Sequence, residues 1–328
     1  MQHRTLGRTG RDVSLIGLGT WQLGADWGDV SEAEAREVLD ASAAAGVSFF
    51  DTADVYGVGR SESLIGAWRR DNQDVDLTVA TKMGRRVDQV PENYVLENFR
   101  AWTDRSRRNL GVDTLDLVQL HCPPTVVYSD DAVFDALDTL VAEEAIANYG
   151  VSVETADEAL TAIARPGVAT VQIILNAFRL KPLDRVLPAA REAGVGIIAR
   201  VPLASGLLSG RYTHDTVFAA NDHRTFNRHG EAFDQGETFS GVDFGEGVEA
   251  AREFSALAAD AGLAPAAAAL AWVSQLDGVS AVIPGARSVA QAESNAAAGS
   301  LPELGEEFTA AVREIYDRRL RAAVHPRW

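Results

Sequence analysis

Strand-like and helix-like runs alternate along the whole 328-residue chain, with no Ser/Gly-rich linker or low-complexity tract between them. Repeated strand–helix units bury their apolar strands in a mostly parallel sheet covered by helices, so the alternation selects the α/β class. Apolar runs at 13–18, 47–50, 77–81, 115–120, 146–151, 169–174, 196–201 and 279–283 predict eight strands. Helical spacing predicts helices at 31–45, 62–70, 92–109, 130–143, 155–164, 183–193, 246–261, 265–276, 288–297 and 303–321. Eight strands in register with eight helices is the count of a (β/α)8 TIM barrel, which needs roughly 250 residues plus loops. A doubly wound open sheet is the other arrangement that fits. Residues 3–12, around Gly7-Arg8-Thr9-Gly10, predict a short hairpin before the first strand. The expectation is one domain over 1–328: a barrel with an N-terminal hairpin and extra C-terminal helices.

Composition narrows the setting. Hydrophobic residues make up 46% of the chain and charged residues 23%, as in a globular protein with a substantial core. No apolar stretch reaches the roughly 20 residues that span a bilayer. The amino terminus shows no secretory apolar region, so the cytoplasm is the expected compartment. A net charge of −17 repels nucleic acid and anionic membrane, which removes both as expected partners. The single cysteine, Cys122, excludes an internal disulfide; beside His121 it fits a reactive thiol near a site, and reads more readily as a small buried filler. His214, His223 and His229 share a loop without metal-ligand spacing, and no metal is expected.

Three of the apolar runs end in chemically useful side chains: 47–50 in Asp51, 77–81 in Lys82 and 115–120 in His121. As successive parallel strands they would place all three at one end of the sheet, where α/β folds carry their chemistry, although each also fits an ordinary polar strand end. Lys82 is one of only two lysines in a chain otherwise charged by arginine, and a compact ammonium does what a guanidinium cannot beside a titratable group. Tyr56, on the loop after Asp51, adds a phenol. An unperturbed tyrosine has a pKa of about 10, too high for good acid catalysis near neutrality. A nearby ammonium would lower it, and a carboxylate would hold that ammonium in place.

In this order, Asp51-Thr52-Ala53-x-x-Tyr56-Gly57, Thr81-Lys82 and Leu117-Val118-Gln119-Leu120-His121 resemble the tetrad motifs of the aldo-keto reductase superfamily. The likeness runs from Leu6-Gly7-Arg8-Thr9-Gly10 and Gly17-Leu18-Gly19-Thr20-Trp21 to Ile283-Pro284-Gly285-Ala286-Arg287. The resemblance implies NADPH-dependent reduction of aldehydes and ketones on a (β/α)8 barrel. Tyr56 would be the general acid, Lys82 the group that depresses its pKa, Asp51 the partner of Lys82, and His121 the group that orients the carbonyl.

The same resemblance implies cofactor contacts. Ser152, Gln172 and Asn176 match carboxamide-binding positions, with Gly19, Thr20 and Trp21 also in the cofactor set. The stretch Val201-Pro202-Leu203-Ala204-Ser205-Gly206-Leu207-Leu208-Ser209-Gly210-Arg211 matches a loop that wraps the pyrophosphate, where small residues let backbone N–H groups approach. Gly285, Arg287, Gln291 and Asn295 match the segment near the adenine and 2′-phosphate, with Arg287 the candidate for the phosphate. The chain departs from the pattern with Val153 where an Asn is common, Ser294 where a longer polar side chain is common, and Arg200 where many members stack an aromatic on the nicotinamide.

Other readings follow from the residues. Trp21, Tyr56 and His121 are expected to meet the small-molecule carbonyl substrate, with Trp27 a further wall; Trp68, Trp102 and Trp272 fall on helices as packing groups. The stretch 203–245 is too long for a plain connection and is expected to close over a ligand or to be disordered. Gly17-Leu18-Gly19 and Gly57-Val58-Gly59 both lack a complete dinucleotide-binding glycine pattern, which argues against a Rossmann dehydrogenase. The alternative function is an NADPH-binding, redox-sensing accessory subunit with little turnover, since a barrel does not by itself imply catalysis. A Schiff-base role for Lys82 does not suit the Asp-Tyr-Lys-His set. The protein is expected to be a monomer or a homo-oligomer.

Overall fold

The computed structural model describes residues 1–24 and 30–328, so Trp27 lies outside the described residues. Strands β1 (His3–Thr5) and β2 (Asp12–Ser14) pair antiparallel as the N-terminal hairpin. Eight parallel strands follow: β3 (Leu18–Gly19), β4 (Phe49–Asp51), β5 (Thr78–Met83), β6 (Leu117–His121), β7 (Tyr149–Ser152), β8 (Val168–Ile174), β9 (Gly196–Arg200) and β10 (Val279–Val282). They are hydrogen-bonded in chain order. Parallel bridges from Ile16 to Val282 and from Gly19 to Gly285 join the last strand to the first, which curls the sheet into the expected (β/α)8 architecture.

Local chemistry sets the boundaries. Ser31 accepts from the Glu34 N–H while the Glu34 carboxylate accepts from the Ser31 N–H, and this reciprocal cap starts the helix Glu32–Ala44. Thr155 and Glu158 start Ala156–Ile163 in the same way. The predicted helix at 92 begins instead at Leu96, because Pro91–Asn93 forms a separate 3-10 turn between extended Val90 and Val95. The last predicted helix is broken at Leu320 into Gly305–Arg319 and Arg321–Val324.

The first strand departs most from expectation. Val13 and Ser14 belong to the hairpin, and the Ser14 hydroxyl donates to the Ile16 carbonyl at 2.7 Å where the chain turns into the barrel. The apolar run 13–18 is continuous across that turn, so its pattern carries no mark of the break.

The hairpin plugs the N-terminal end of the barrel. Leu6 and Val13 pack with the inward-facing Phe49, Ala80, Leu117, Ile198, Ala281 and Ile283. Gly7 allows the close approach: its φ is +50°, and a Cβ there would lie 2.0 Å from the Gly196 nitrogen. Arg8 completes the plug by donating to the carbonyls of Arg165, Pro166, Val168 and Ala193. With that end filled, the opposite mouth is the one open to chemistry.

A second, larger apolar layer lies between sheet and helices and takes in Trp68, Trp102 and Trp272, as their helical positions predict. The stretch 203–245 is folded onto the body, with Leu207, Leu208 and Phe239 buried. Among the described residues no single helix is long and apolar enough to cross a membrane.

Candidate active site

Strand alternation carries the inward row from apolar to polar. Phe49, Ala80 and Leu117 point into the barrel, so Asp51, Lys82 and Gln119, two residues further on, point the same way, and His121 follows Gln119. Register then sets their heights: Lys82 pairs with Gln119, His121 with Ser152, and Ser152 with Gln172. A polar layer thus sits directly above the apolar plug.

Lys82 and Asp51 are both buried and form a direct ion pair. The ammonium also donates to the Thr52 carbonyl at 2.9 Å and reaches the Tyr56 hydroxyl at 3.5 Å. The second Asp51 oxygen accepts from Gln172 at 2.8 Å and from Gln119 at 3.2 Å. A buried carboxylate whose oxygens are all satisfied is locked in orientation, and the ammonium with it. The His121 ring stands edge-on to Tyr56 with centroids 6.0 Å apart, so the structure brings all four expected catalytic side chains together.

Burial dominates the electrostatics. It pushes the Tyr56 phenol above its ordinary value, with the Lys82 charge pulling the other way. The ammonium thus pulls the phenol down, but burial outweighs it and the net direction is upward. Burial opposes the Lys82 charge too, yet Asp51 and Tyr56 hold its pKa above that of a free lysine. Burial, then Arg85, Lys82 and Arg200, push His121 well below the ordinary histidine value, so its imidazole is neutral. Its Nδ1 has no hydrogen-bond partner among the described residues.

Trp21 stacks on Tyr56 with centroids 6.0 Å apart and planes at 20°. From the long segment, Phe233 meets Trp21 edge-on at 5.9 Å and His223 lies 5.6 Å from it. These rings wall the mouth above the phenol.

A buried charge cluster lies on the other side. Arg200 pairs with Glu154 at 2.8 Å and lies 3.9 Å from Glu237, while Arg85 pairs with Glu237 at 2.9 Å and with Glu154 at 3.3 Å. Burial pushes the Glu154 carboxyl up; it acts the same way on Glu237, but Arg85 and Arg200 hold that group down. Cys122, Glu154 and Glu237 have ligand types and spacing suited to a cation, yet the two guanidiniums supply the positive charge. Burial, then Glu154, pushes the Cys122 thiol up to about 12, which favours the thiol over the thiolate. His214 pairs with Glu249 and His223 with Asp222, so these two histidines of the long segment have separate partners.

The Aldo/keto reductase family model matches residues 15–317. The chain belongs to the aldo/keto reductase family. An uncharacterised oxidoreductase of Mycobacterium tuberculosis is 32% identical over 296 residues, covering 88% of this chain and 85% of the relative. Among solved structures, an aldo-keto reductase from Bacillus halodurans in its holo form superposes with a TM-score of 0.78 at 23% identity, covering 96% of both chains. An aldo/keto reductase from Klebsiella pneumoniae in complex with NADP and acetate gives 0.70 at 24%, covering 96% of this chain and 95% of that one.

In this aldo/keto reductase the expected cofactor positions lie around the same mouth, several of them already engaged with the protein. Asn176 is fully buried, donates to the Val201 carbonyl and Ser240 hydroxyl, and accepts from the Phe178 N–H. The Thr20 hydroxyl donates to the Asp51 carbonyl at 2.9 Å and steadies the end of β4 beside Gly19. Arg200 is held in its ion pairs as described. The Ser152 hydroxyl accepts from the Cys122 thiol at 3.4 Å. Val201, Ala204, Ser205, Gly206 and Gly210 all have positive φ, within a turn that also holds Pro202, Leu203 and Leu208 and ends at exposed Arg211. At the other rim Asn295 donates to the Gly285 carbonyl at 3.1 Å and Gln291 accepts from the Arg287 N–H at 2.8 Å, at the start of helix Val289–Ala298.

Sequence reasoning missed Gln119, Arg85, Glu154, Glu237 and Phe233. Gln119 had a signal, since it lies two residues before His121 on the same strand face. The others depend on contacts between distant loops.

Proposed function

We propose that the protein is an NADPH-dependent carbonyl reductase that converts aldehydes and ketones to alcohols. The observation that carries this is the Lys82 ammonium, buried between the Asp51 carboxylate and the Tyr56 hydroxyl. Tyr56 gives its proton to the carbonyl oxygen, and Lys82 stabilises the phenolate left behind. Neutral His121 donates a hydrogen bond to the same oxygen and fixes the carbonyl's orientation. Trp21 and Phe233 supply apolar walls for the rest of the substrate.

The residues present fit a dinucleotide. Positive φ values at Ala204, Ser205 and Gly206 wind the backbone into a tight turn closed by the Ala204 and Gly206 N–H groups on the Val201 and Leu203 carbonyls, and its small residues at the barrel mouth would let a phosphate approach. Ser152 and Gln172 would hold the nicotinamide end, and Arg287, Gln291 and Asn295 the adenine end. When bound, NADPH supplies the hydride.

Purified protein should consume NADPH when given an activated aldehyde such as nitrobenzaldehyde. Tyr56→Phe should lower that rate by about 100-fold or more. Turnover by the variant at the wild-type rate would overturn the role given to the phenol.

A further inference from the structure

His121 ends β6, and the residue after it, Cys122, holds a left-handed backbone with φ of 49° although it is not glycine. Such a conformation costs roughly 1–3 kcal/mol and persists only where its surroundings fix it. The Cys122 N–H is held by the Leu120 and Ser152 carbonyls at 3.2 and 3.1 Å, and two side chains hold the carbonyl side. Arg85 Nε donates to the His121 carbonyl at 3.2 Å. Gln89 donates to the same carbonyl at 3.1 Å and to the Cys122 carbonyl at 2.8 Å.

Arg85 is itself held from two further directions. Its Nη2 donates to Glu154, just past β7, at 3.3 Å, and to Glu237, on the long segment, at 2.9 Å. Glu237 is buried and the Arg85 side chain only 17% exposed, so these charges left water to make these contacts. The Glu237 carbonyl accepts from the Ser205 hydroxyl at 3.3 Å, which ties the turn after β9 into the same chain of contacts. A guanidinium can meet a backbone carbonyl and two carboxylates in one plane; an ammonium cannot hold that geometry.

We propose that Arg85 is a positioning residue for carbonyl reduction, clamping the end of β6 so that His121 faces Tyr56, with Glu237 anchoring the clamp to the 203–245 segment. The inference rests on His121 orienting the carbonyl. Arg85 acts on the imidazole by charge as well. Among the described residues, the charged and titratable groups around the ring are Tyr56, Lys82, Arg85, Arg200 and the adjoining Cys122, with Glu154 and Glu237 behind the two guanidiniums. After burial, Arg85 is the strongest influence keeping His121 neutral.

The test uses full-length protein with ring-labelled histidine, its His121 resonance assigned with His121→Asn. Two variants are compared: Arg85→Met, and Arg85→Met/Glu237→Gln, which keeps the buried cluster balanced in charge should the single variant fold poorly. In the double variant, ligand-free, the His121 titration should rise by about one pH unit. Its kcat for nitrobenzaldehyde should fall about tenfold with the NADPH KM unchanged, and Arg85→Lys should recover only part of the loss. A folded double variant with wild-type His121 titration and wild-type kcat would overturn the proposal. So would a double variant that restores the kcat lost in Arg85→Met, since charge balance alone would then explain the cluster. Unchanged kcat in His121→Asn would remove the role given to the imidazole, while the titration would still report on the clamp.

Discussion

The Lys82 ammonium lies 3.5 Å from the Tyr56 hydroxyl and is ion-paired to Asp51, so one buried cation serves a carboxylate and a phenol together. Removing it leaves the buried Asp51 carboxyl with the Gln119 and Gln172 amides as its side-chain partners among the described residues. Lys82→Met should therefore cost about 3–5 kcal/mol in urea unfolding. Asp51→Asn/Lys82→Met should recover most of that stability while remaining inactive. A double variant no more stable than the single one would show that packing, not charge pairing, holds this layer.

The neutral His121 links stability to pH. Its folded pKa lies below the ordinary value of 6.5, so below pH 6.5 the unfolded chain takes up a proton that the folded protein does not. Its contribution is present above pH 6.5 and is lost as pH falls towards the folded pKa. Other buried groups titrate in the acid range, so the comparison is with His121→Asn. Between pH 6.5 and the folded pKa, the stability of wild type relative to the variant should decline as pH falls. A constant difference would contradict a neutral histidine.

Arg287 is exposed at the start of the last barrel helix, beside Gln291 and Asn295. If it meets the 2′-phosphate, Arg287→Ala should weaken NADPH binding about tenfold or more, the scale of one charge-assisted contact, and leave NADH binding nearly unchanged. Fluorescence titration of both cofactors against both proteins checks this. Equal effects on the two would place the phosphate elsewhere.

Trp328 wedges the long segment from outside. Its indole donates to Asp234 at 2.9 Å, it packs under the Arg179 guanidinium at 4.2 Å, and a Cβ at Gly241 would fall 2.2 Å from its ring. Trp328→Ala should cost about 3 kcal/mol and speed hydrogen exchange around 234–241. Exchange there at the wild-type rate would show that the segment holds itself in place.

The barrel and the end that holds the candidate site were legible because the apolar runs and the polar residues closing them carry both. Alternating runs counted out eight strands, and the polar residues that close three of them put Asp51, Lys82 and His121 at one end of the sheet. The run 13–18 misled because a continuous apolar stretch looks the same on both sides of a turn. The sign of Lys82's effect on Tyr56 could be foreseen, but its size against burial could not, since burial belongs to the closed barrel. The Arg85–Glu237 pair joins residues 152 positions apart through a segment without periodicity, and no local pattern announces such a contact.

The central claim is that Tyr56 and Lys82 act as one proton-donating unit. A double-mutant cycle on kcat for aldehyde reduction, with Tyr56→Phe, Lys82→Met and the combination, tests it most directly. Once the phenol is gone the ammonium has nothing to stabilise, so the double variant should be about as slow as Tyr56→Phe alone. Losses that multiply independently would contradict the account.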